Sequence, residues 1–192
     1  MQTKTPIAIY TESNPNPNSL KFVANFMLIP EGVSRDYPTI DSTQEAPLAK
    51  ALFDTFDSID RVFYMNNFVT ITKKEAIDWF EIKEPIQQFI KTYLEAEKPI
   101  LTEKITESID EQLTGDDTEA KIRGVLEEYI KPAVEMDGGA ITLSSYKEGV
   151  VTVALQGACS GCPSSVITLK SGIENLLKKM IPEVKEVVAE NA

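Results

Sequence analysis

Two cysteines separated by two residues are the side chains of this sequence whose type and spacing suggest a chemical site. Cys159 and Cys162 are the only cysteines among 192 residues, and the sequence has no histidine. A Cys-x-x-Cys pair has three common uses: disulfide exchange, binding of a tetrahedral zinc ion, and ligation of iron in an iron–sulfur cluster. The lack of histidine excludes imidazole metal ligands, histidine proton shuttles and nucleophiles that a histidine activates.

One chain supplies only half of the thiolates that a four-thiolate metal centre needs. With no third cysteine and no histidine, the other ligands must come from another molecule. A second copy of the same chain is the direct solution, because two symmetric copies contribute two pairs of thiolates. A cluster held between two subunits can leave when they part, and this property favours transfer of the cluster over storage of electrons.

The residues around the cysteines favour a thiolate site at the start of a helix. Four small residues accompany Cys159 in the segment 157–161, so this loop can wrap closely around a bulky inorganic ligand. Pro163 favours a helix start, and backbone N–H groups there lower the pKa of neighbouring thiols. Disulfide exchange uses the same geometry, so an oxidoreductase with Cys159 as nucleophile and Cys162 as resolving thiol is one alternative. A zinc ion bridging two subunits is another.

The elements that must position this loop are predicted in the order α-β-β-α-β. Apolar residues recur with a helical period up to Val134, and Asp137-Gly138-Gly139 is typical of a helix C-terminus with glycine in the left-handed region. Two apolar runs around 147–149 predict a hairpin before the cysteine loop. The predicted elements are a helix that is capped by Asp117 or Thr118 and has its apolar stripe over 122–134, strands over 141–146 and 150–156, a helix over 163–180 and a strand over 184–189.

The first half of the chain predicts a separate, compact arrangement of strands and helices. Alternating apolar residues indicate a strand with one buried face, and Asn66-Asn67 between two apolar runs predicts a tight hairpin turn. Pro47 is expected to open one helix and Pro85 another. The predicted elements are strands over 7–10, 20–28, 59–65 and 68–72 and helices over 47–55 and 82–94.

An acidic segment lies between the two halves. From Glu103 to Glu119 the sequence has seven acidic residues and a single lysine, which is typical of a solvated connector. The predicted fold class is therefore α+β, with two small α/β domains joined by an acidic linker. The predicted bounds are 1–97, a linker or short helix over 98–117, and 118–192. Packing of the linker as one more helix on a single larger domain is the alternative.

Charge and hydropathy argue against several function classes. The 19 basic and 30 acidic residues give a net charge of −11, whereas binding to nucleic acid or to anionic membranes uses basic patches. No segment approaches the roughly 18 consecutive apolar residues that span a bilayer. The first six residues lack the pattern of a signal or transit peptide, so the expected location is cytoplasmic.

Several motifs resemble a known family over nearly the whole chain apart from the linker. The stretch Gly157–Ser165 and the preceding Asp137-Gly138-Gly139 resemble the C-terminal domain of NifU, and the match continues over 168–174 and 181–184. The first half resembles the N-terminal domain of the Nfu proteins. The segments that carry this second resemblance are 14–22, 47–53 and 68–73.

The resemblance implies a scaffold or carrier, not an enzyme, that holds a [4Fe–4S] cluster between two subunits and passes it to apo-proteins; a [2Fe–2S] cluster is the alternative. Cys159 and Cys162 match the cluster ligands of the family, and no catalytic residue is implied. The implied partners are apo iron–sulfur acceptors, upstream cluster assembly proteins and, in the loaded state, a second copy of the chain. Ala140 departs from the acidic residue expected after the two glycines and lies outside the ligand loop.

Overall fold

The computed structural model describes residues 6–102, 117–160 and 163–191, without the side chains of 163–166 and 191. Contacts within the chain divide it into two compact units. Each unit combines helices with a sheet of its own, which confirms the predicted α+β class. Most of the acidic linker lies outside the described residues, so the predicted domain bounds stay a prediction. No helix in the described ranges is long and apolar enough to cross a membrane.

The first unit is an antiparallel five-stranded sheet with two helices. Its strands have the order β1-β2-β5-β4-β3. Leu20 and Phe22 of β2 pack in one apolar cluster with Leu52 of α1 and Ile90 of α2. All six residues of β2 are buried, so the prediction of a single buried face is wrong for this strand. The elements are β1 Ile9–Ser13, β2 Ser19–Ala24, β3 Ser34–Tyr37, α1 Pro47–Thr55, β4 Ile59–Met65, β5 Phe68–Lys73 and α2 Trp79–Glu95.

Two elements of the first unit differ from their predictions. Helix α2 begins at Trp79 rather than at Pro85, because the side chain of Asp78 accepts a hydrogen bond of 2.8 Å from the backbone N–H of Phe80 and caps the helix. Pro85 lies inside the helix on an exposed position, where water can satisfy the carbonyl that loses its partner. The sequence does not predict β3, because this short edge strand lacks an alternating apolar pattern.

Strand bounds in the first unit also shift, whereas its central hairpin is confirmed. β1 lies two to three residues after the predicted run 7–10, and β2 ends at Ala24 rather than at residue 28. Beyond Ala24 the chain turns, and the backbone N–H groups of Leu28 and Ile29 bond to the carbonyl of Asn66. Asn66 has a φ of 48° between β4 and β5, as the tight turn requires.

The second unit has the predicted order α-β-β-α-β. Strand β7 pairs antiparallel with β6 and parallel with β8, and the parallel pair requires the crossover through α5. The first helix contains a π-helical segment over Leu126–Ile130, which joins α3 to α4. The elements are α3 Asp117–Val125, α4 Lys131–Met136, β6 Gly139–Lys147, β7 Val150–Gly157, α5 Pro163–Met180 and β8 Glu186–Asn191.

The core of the second unit lies between its helices and one face of its sheet. Ile122, Val134, Val153 and Leu177 belong to one buried cluster, which confirms most of the predicted helical stripe. Tyr129, which the same stripe includes, is half exposed. The π-helical segment accounts for this difference, because its wider turn shifts the faces of the residues within it.

The carboxylate of Glu174 joins α5 to β8. It accepts hydrogen bonds from the Lys178 ammonium and, at 3.1 Å, from the backbone N–H of Val187. The hydrogen bond from Lys178, and to a lesser extent the one from Val187, holds the pKa of Glu174 below its ordinary value of 4.5. Since α5 directly follows the cysteine loop, this contact helps to fix the direction in which the helix leaves that loop.

Replacing Glu174 is expected to change how the stability of the second unit depends on pH. A carboxyl group whose pKa is lowered by folding contributes stability above its unfolded pKa, and this contribution is lost as pH falls through the folded pKa. The urea midpoint of wild type should therefore exceed that of Glu174→Gln near neutral pH, and the difference should vanish well below pH 4.5. Urea titrations followed by circular dichroism test this, with Glu183→Gln as control. A difference that stays constant over the whole pH range would contradict it.

The turn between β6 and β7 makes a second prediction about stability. Gly149 has a φ of 93°, and a Cβ there would lie 2.9 Å from the carbonyl oxygen of Glu183. Gly149→Ala should therefore lower the free energy of unfolding by about 1–3 kcal/mol.

Gly124 is the matched control for this substitution. It lies within α3, and a Cβ there would meet nothing within 4 Å. Gly124→Ala should raise the free energy of unfolding by about 0.5–1 kcal/mol, because alanine is the better helix former. Denaturant titrations of both variants test the pair, and an equal effect of the two substitutions would show that the turn conformation does not matter.

Candidate functional site

Cys159 lies in the loop that leads from β7 to α5, as the sequence predicts. Gly157, at the end of β7, has a φ of 64°, and its carbonyl accepts a hydrogen bond of 3.1 Å from the backbone N–H of Ser160. The backbone N–H of Ala158 bonds at 3.2 Å to the carbonyl of Gly138. The loop is thus a tight turn whose first residues are attached to the segment that follows α4.

The Asp137-Gly138-Gly139 segment ends α4, as predicted, and also approaches the cysteine. Gly138 has a φ of 79°, and its N–H bonds back to the carbonyl of Glu135 at 3.0 Å. Gly139 pairs with Gly157 across β6 and β7. The first glycine therefore serves the helix C-terminus, and the second begins the strand beside the cysteine loop.

Gly139 leaves space that the side chain of Cys159 uses. A Cβ at Gly139 would lie 2.5 Å from the carbonyl oxygen of Gln156 and 2.9 Å from Sγ of Cys159. Both distances are too short for any side chain, so only glycine fits beside the thiol. Sequence reasoning misses this role, because a double glycine after a helix is already explained by the helix C-terminus.

Cys159 is buried, with 7% of its surface exposed. It packs in the same apolar cluster as Ile141 and Leu155. Small neighbours and the glycine at 139 allow the side chain to enter the core instead of pointing outward. The thiol of Cys159 is therefore shielded from solvent in this conformation.

The second predicted ligand, Cys162, lies outside the described residues, so the assignment of Cys159 and Cys162 as a ligand pair stays a prediction. Among the described residues, no group of three or more cysteine, aspartate or glutamate side chains is arranged to hold a metal ion. The candidate site is therefore defined by Cys159, by the glycines at 138 and 139, and by the residues next to Cys159 in the loop.

Ser160 is the remaining polar side chain described in this loop. It is 3% exposed, and its Oγ has no hydrogen-bond partner in the part of the chain that the structure describes. Sequence reasoning treats Ser160 only as a small residue that lets the loop wrap a ligand. Its type suggests a hydroxyl at the site, but its burial without a partner follows only from the tertiary structure.

Comparison with known proteins finds two family models that match the two halves of the chain. A model described as "NifU-like domain" matches residues 122–188, which include the cysteine loop. A model described as "Scaffold protein Nfu/NifU N terminal" matches residues 9–97.

Curated relatives match over almost the full length of the chain. A protein of Drosophila willistoni named "NFU1 iron-sulfur cluster scaffold homolog, mitochondrial" is 40% identical over 185 residues, which are 96% of this chain and 64% of the relative. The protein of the same name from Drosophila erecta is 37% identical over 194 residues, covering 97% of this chain and 68% of the relative. The chain thus spans about two thirds of the length of these relatives. A solution NMR structure of a NifU-like protein from Saccharomyces cerevisiae is 25% identical with a TM-score of 0.48, covering 54% of this chain and 92% of that chain.

These names correct the expected location. The relatives are named as mitochondrial proteins, so the expectation of a cytoplasmic protein is wrong. That expectation rested on the lack of a long apolar segment and of a targeting pattern in the first residues, and neither observation identifies a compartment.

Adding a side chain at Gly139 is expected to disrupt the site. Gly139→Ala should lower the free energy of unfolding of the second unit by about 1–3 kcal/mol, because the new methyl group overlaps Gln156 and Cys159. Gly172→Ala in α5, where a Cβ would meet nothing within 4 Å, is the control and should not destabilise the protein. Thermal and urea unfolding measure both variants. Equal midpoints for Gly139→Ala and wild type would show that the close approach is not tight in solution.

Proposed function

Because the chain belongs to the Nfu family of iron–sulfur cluster scaffold proteins, we propose that it binds an iron–sulfur cluster as cargo and passes it to apo-proteins. Membership of the family confirms the resemblance seen in the sequence. The observation that carries the proposal is that both cysteines of the chain lie within the residues matched by the NifU-like model. In this proposal Cys159 and Cys162 are the ligands, and the protein is not an enzyme.

The ligand count requires a second molecule in the loaded state. Two thiolates per chain supply half of a four-thiolate centre, and a second copy of the chain supplies the other half. The cargo in this proposal is a [4Fe–4S] cluster, with [2Fe–2S] as the alternative that uses the same four thiolates. The two copies then form a homodimer only when the cluster joins them.

The surroundings of Cys159 suit a cargo that is bound and released. Since the thiol is buried, its sulfur must move outward before it ligates iron. Small loop residues make this movement inexpensive, because no large side chain has to leave the core with it. When the cluster departs, Cys159 returns to the space beside Gly139, and the reactive thiol is again shielded from solvent.

Release to an acceptor is an exchange of ligands in which no electrons are transferred. A thiolate of the apo-protein attacks an iron atom, a new iron–sulfur bond forms, and the bond from the same iron to Cys159 breaks. Cys159 leaves as a thiolate and takes up a proton from solvent. The partners in this proposal are apo iron–sulfur proteins downstream and cluster assembly proteins upstream, and the first unit serves in their recognition.

Anaerobic reconstitution of the full chain with iron and sulfide tests the proposal. Wild type should turn brown, elute as a dimer and contain one cluster per two chains, while Cys159→Ser and Cys162→Ser should bind almost no iron. Ser171→Ala, an exposed position in α5, is the control and should behave as wild type. Counts of iron and sulfide per dimer distinguish [4Fe–4S] from [2Fe–2S].

Four outcomes would contradict the proposal. A colourless monomer after reconstitution, or full cluster binding by Cys159→Ser, would remove its basis. Rapid reduction of insulin disulfides without uptake of iron would identify a thiol–disulfide oxidoreductase instead. Zinc at half an equivalent per chain in anaerobically purified protein would identify a structural bridge between subunits.

A further inference from the structure

The hydroxyl of Ser160 has no structural role among the described residues. The residue is 3% exposed, and Oγ makes no hydrogen bond within the described residues. A buried hydroxyl without a partner costs free energy, because it gives up its hydrogen bonds to water and receives none in return. Its turn is held by the backbone N–H, which bonds to Gly157, and alanine would make the same bond.

Another buried hydroxyl in the same structure shows what a structural role looks like. Thr43 is 2% exposed, and its Oγ1 donates a hydrogen bond of 2.6 Å to the carbonyl of Ile40. That hydroxyl replaces its lost water with a backbone partner, as buried polar groups usually do. Ser160 has no such partner among the described residues and lies directly beside Cys159 in the chain, so an acceptor bound at Cys159 would lie next to its hydroxyl.

We propose that Ser160 is a positioning residue whose hydroxyl donates a hydrogen bond to a sulfur of the cluster cargo. The inference rests on the proposed function, since the acceptor is the bound cluster or its thiolate ligand. Sulfide and thiolate sulfurs carry negative charge, and hydrogen bonds to them stabilise a cluster and set its reduction potential. A hydroxyl one residue from the ligand, without another partner among the described residues, is suited to this contact.

The consequence is that Ser160 favours the loaded over the empty chain. Without cargo, the buried hydroxyl lacks a hydrogen bond and destabilises the chain. With cargo bound, the hydrogen bond to sulfur removes this penalty. Ser160 thereby sets how tightly the cargo is held against release, whereas Cys159 and Cys162 decide whether it is held at all. A residue with only a structural role would stabilise the chain both with and without bound cluster.

The test compares Ser160→Ala with wild type in the full-length chain. After anaerobic reconstitution, the variant should still take up the cluster but lose it to a ferrous-iron chelator about 3- to 10-fold faster, as expected for one lost hydrogen bond. The empty variant should melt at the same temperature as wild type or higher, because an unsatisfied buried hydroxyl is gone. The reduction potential of its cluster should become more negative.

Vibrational spectra and two further variants sharpen the result. Exchange into D₂O should shift the iron–sulfur stretching bands of wild type more than those of Ser160→Ala. Ser160→Thr retains the hydroxyl and should restore slow cluster loss relative to alanine, and Ser171→Ala should match wild type throughout.

Each outcome either supports or overturns the inference. Equal rates of cluster loss for wild type and Ser160→Ala would overturn it, as would a lower melting temperature of the empty variant with unchanged cluster loss. If wild type itself takes up no cluster, the proposed function fails and the inference falls with it. If wild type takes it up and Ser160→Ala is indistinguishable from it, only the inference fails.

Discussion

The close approach of the backbone at Gly139 to the thiol of Cys159 is the contact on which the second unit depends. A Cβ at this position would lie 2.9 Å from the sulfur, so the site exists only where the chain has no side chain. The approach joins the segment after α4 to the loop after β7, and the hydrogen bond from Ala158 to Gly138 strengthens this junction. The pairing of β6 with β7 sets this approach, because Gly139 lies opposite Gly157, and the burial of Cys159 depends on the space that Gly139 leaves.

Burial gives Cys159 two different surroundings in the proposed cycle. In the structure it is part of the apolar core, where a small, weakly polar thiol packs well. In the loaded state it faces iron and a second chain. In the proposed cycle, exchange between the two surroundings would connect cargo binding to local rearrangement of a loop of small residues and would protect the thiol when no cargo is bound.

Much of the fold could be predicted from local patterns. Turn residues and apolar periods are local properties, so they predicted three features correctly: the hairpin at Asn66-Asn67, the helix from Pro47 to Thr55 and the α-β-β-α-β order of the second unit. Local patterns did not predict the start of α2 or the strand β3. Helix α2 begins after Asp78 rather than at Pro85 because the side chain of Asp78 caps it, and this hydrogen bond is visible only in the folded backbone. The polar edge strand β3 forms because its backbone pairs with β4.

For the site, the sequence by itself determined the number and spacing of the thiols, and hence that one chain can provide at most half of a four-thiolate centre. Such a count depends on composition alone and is the same in any fold. Only the tertiary structure decided that Cys159 is buried, that Gly139 makes room for it and that the hydroxyl of Ser160 is left without a partner among the described residues. These properties depend on distances between residues about twenty positions apart, and the pairing of β6 with β7 sets those distances.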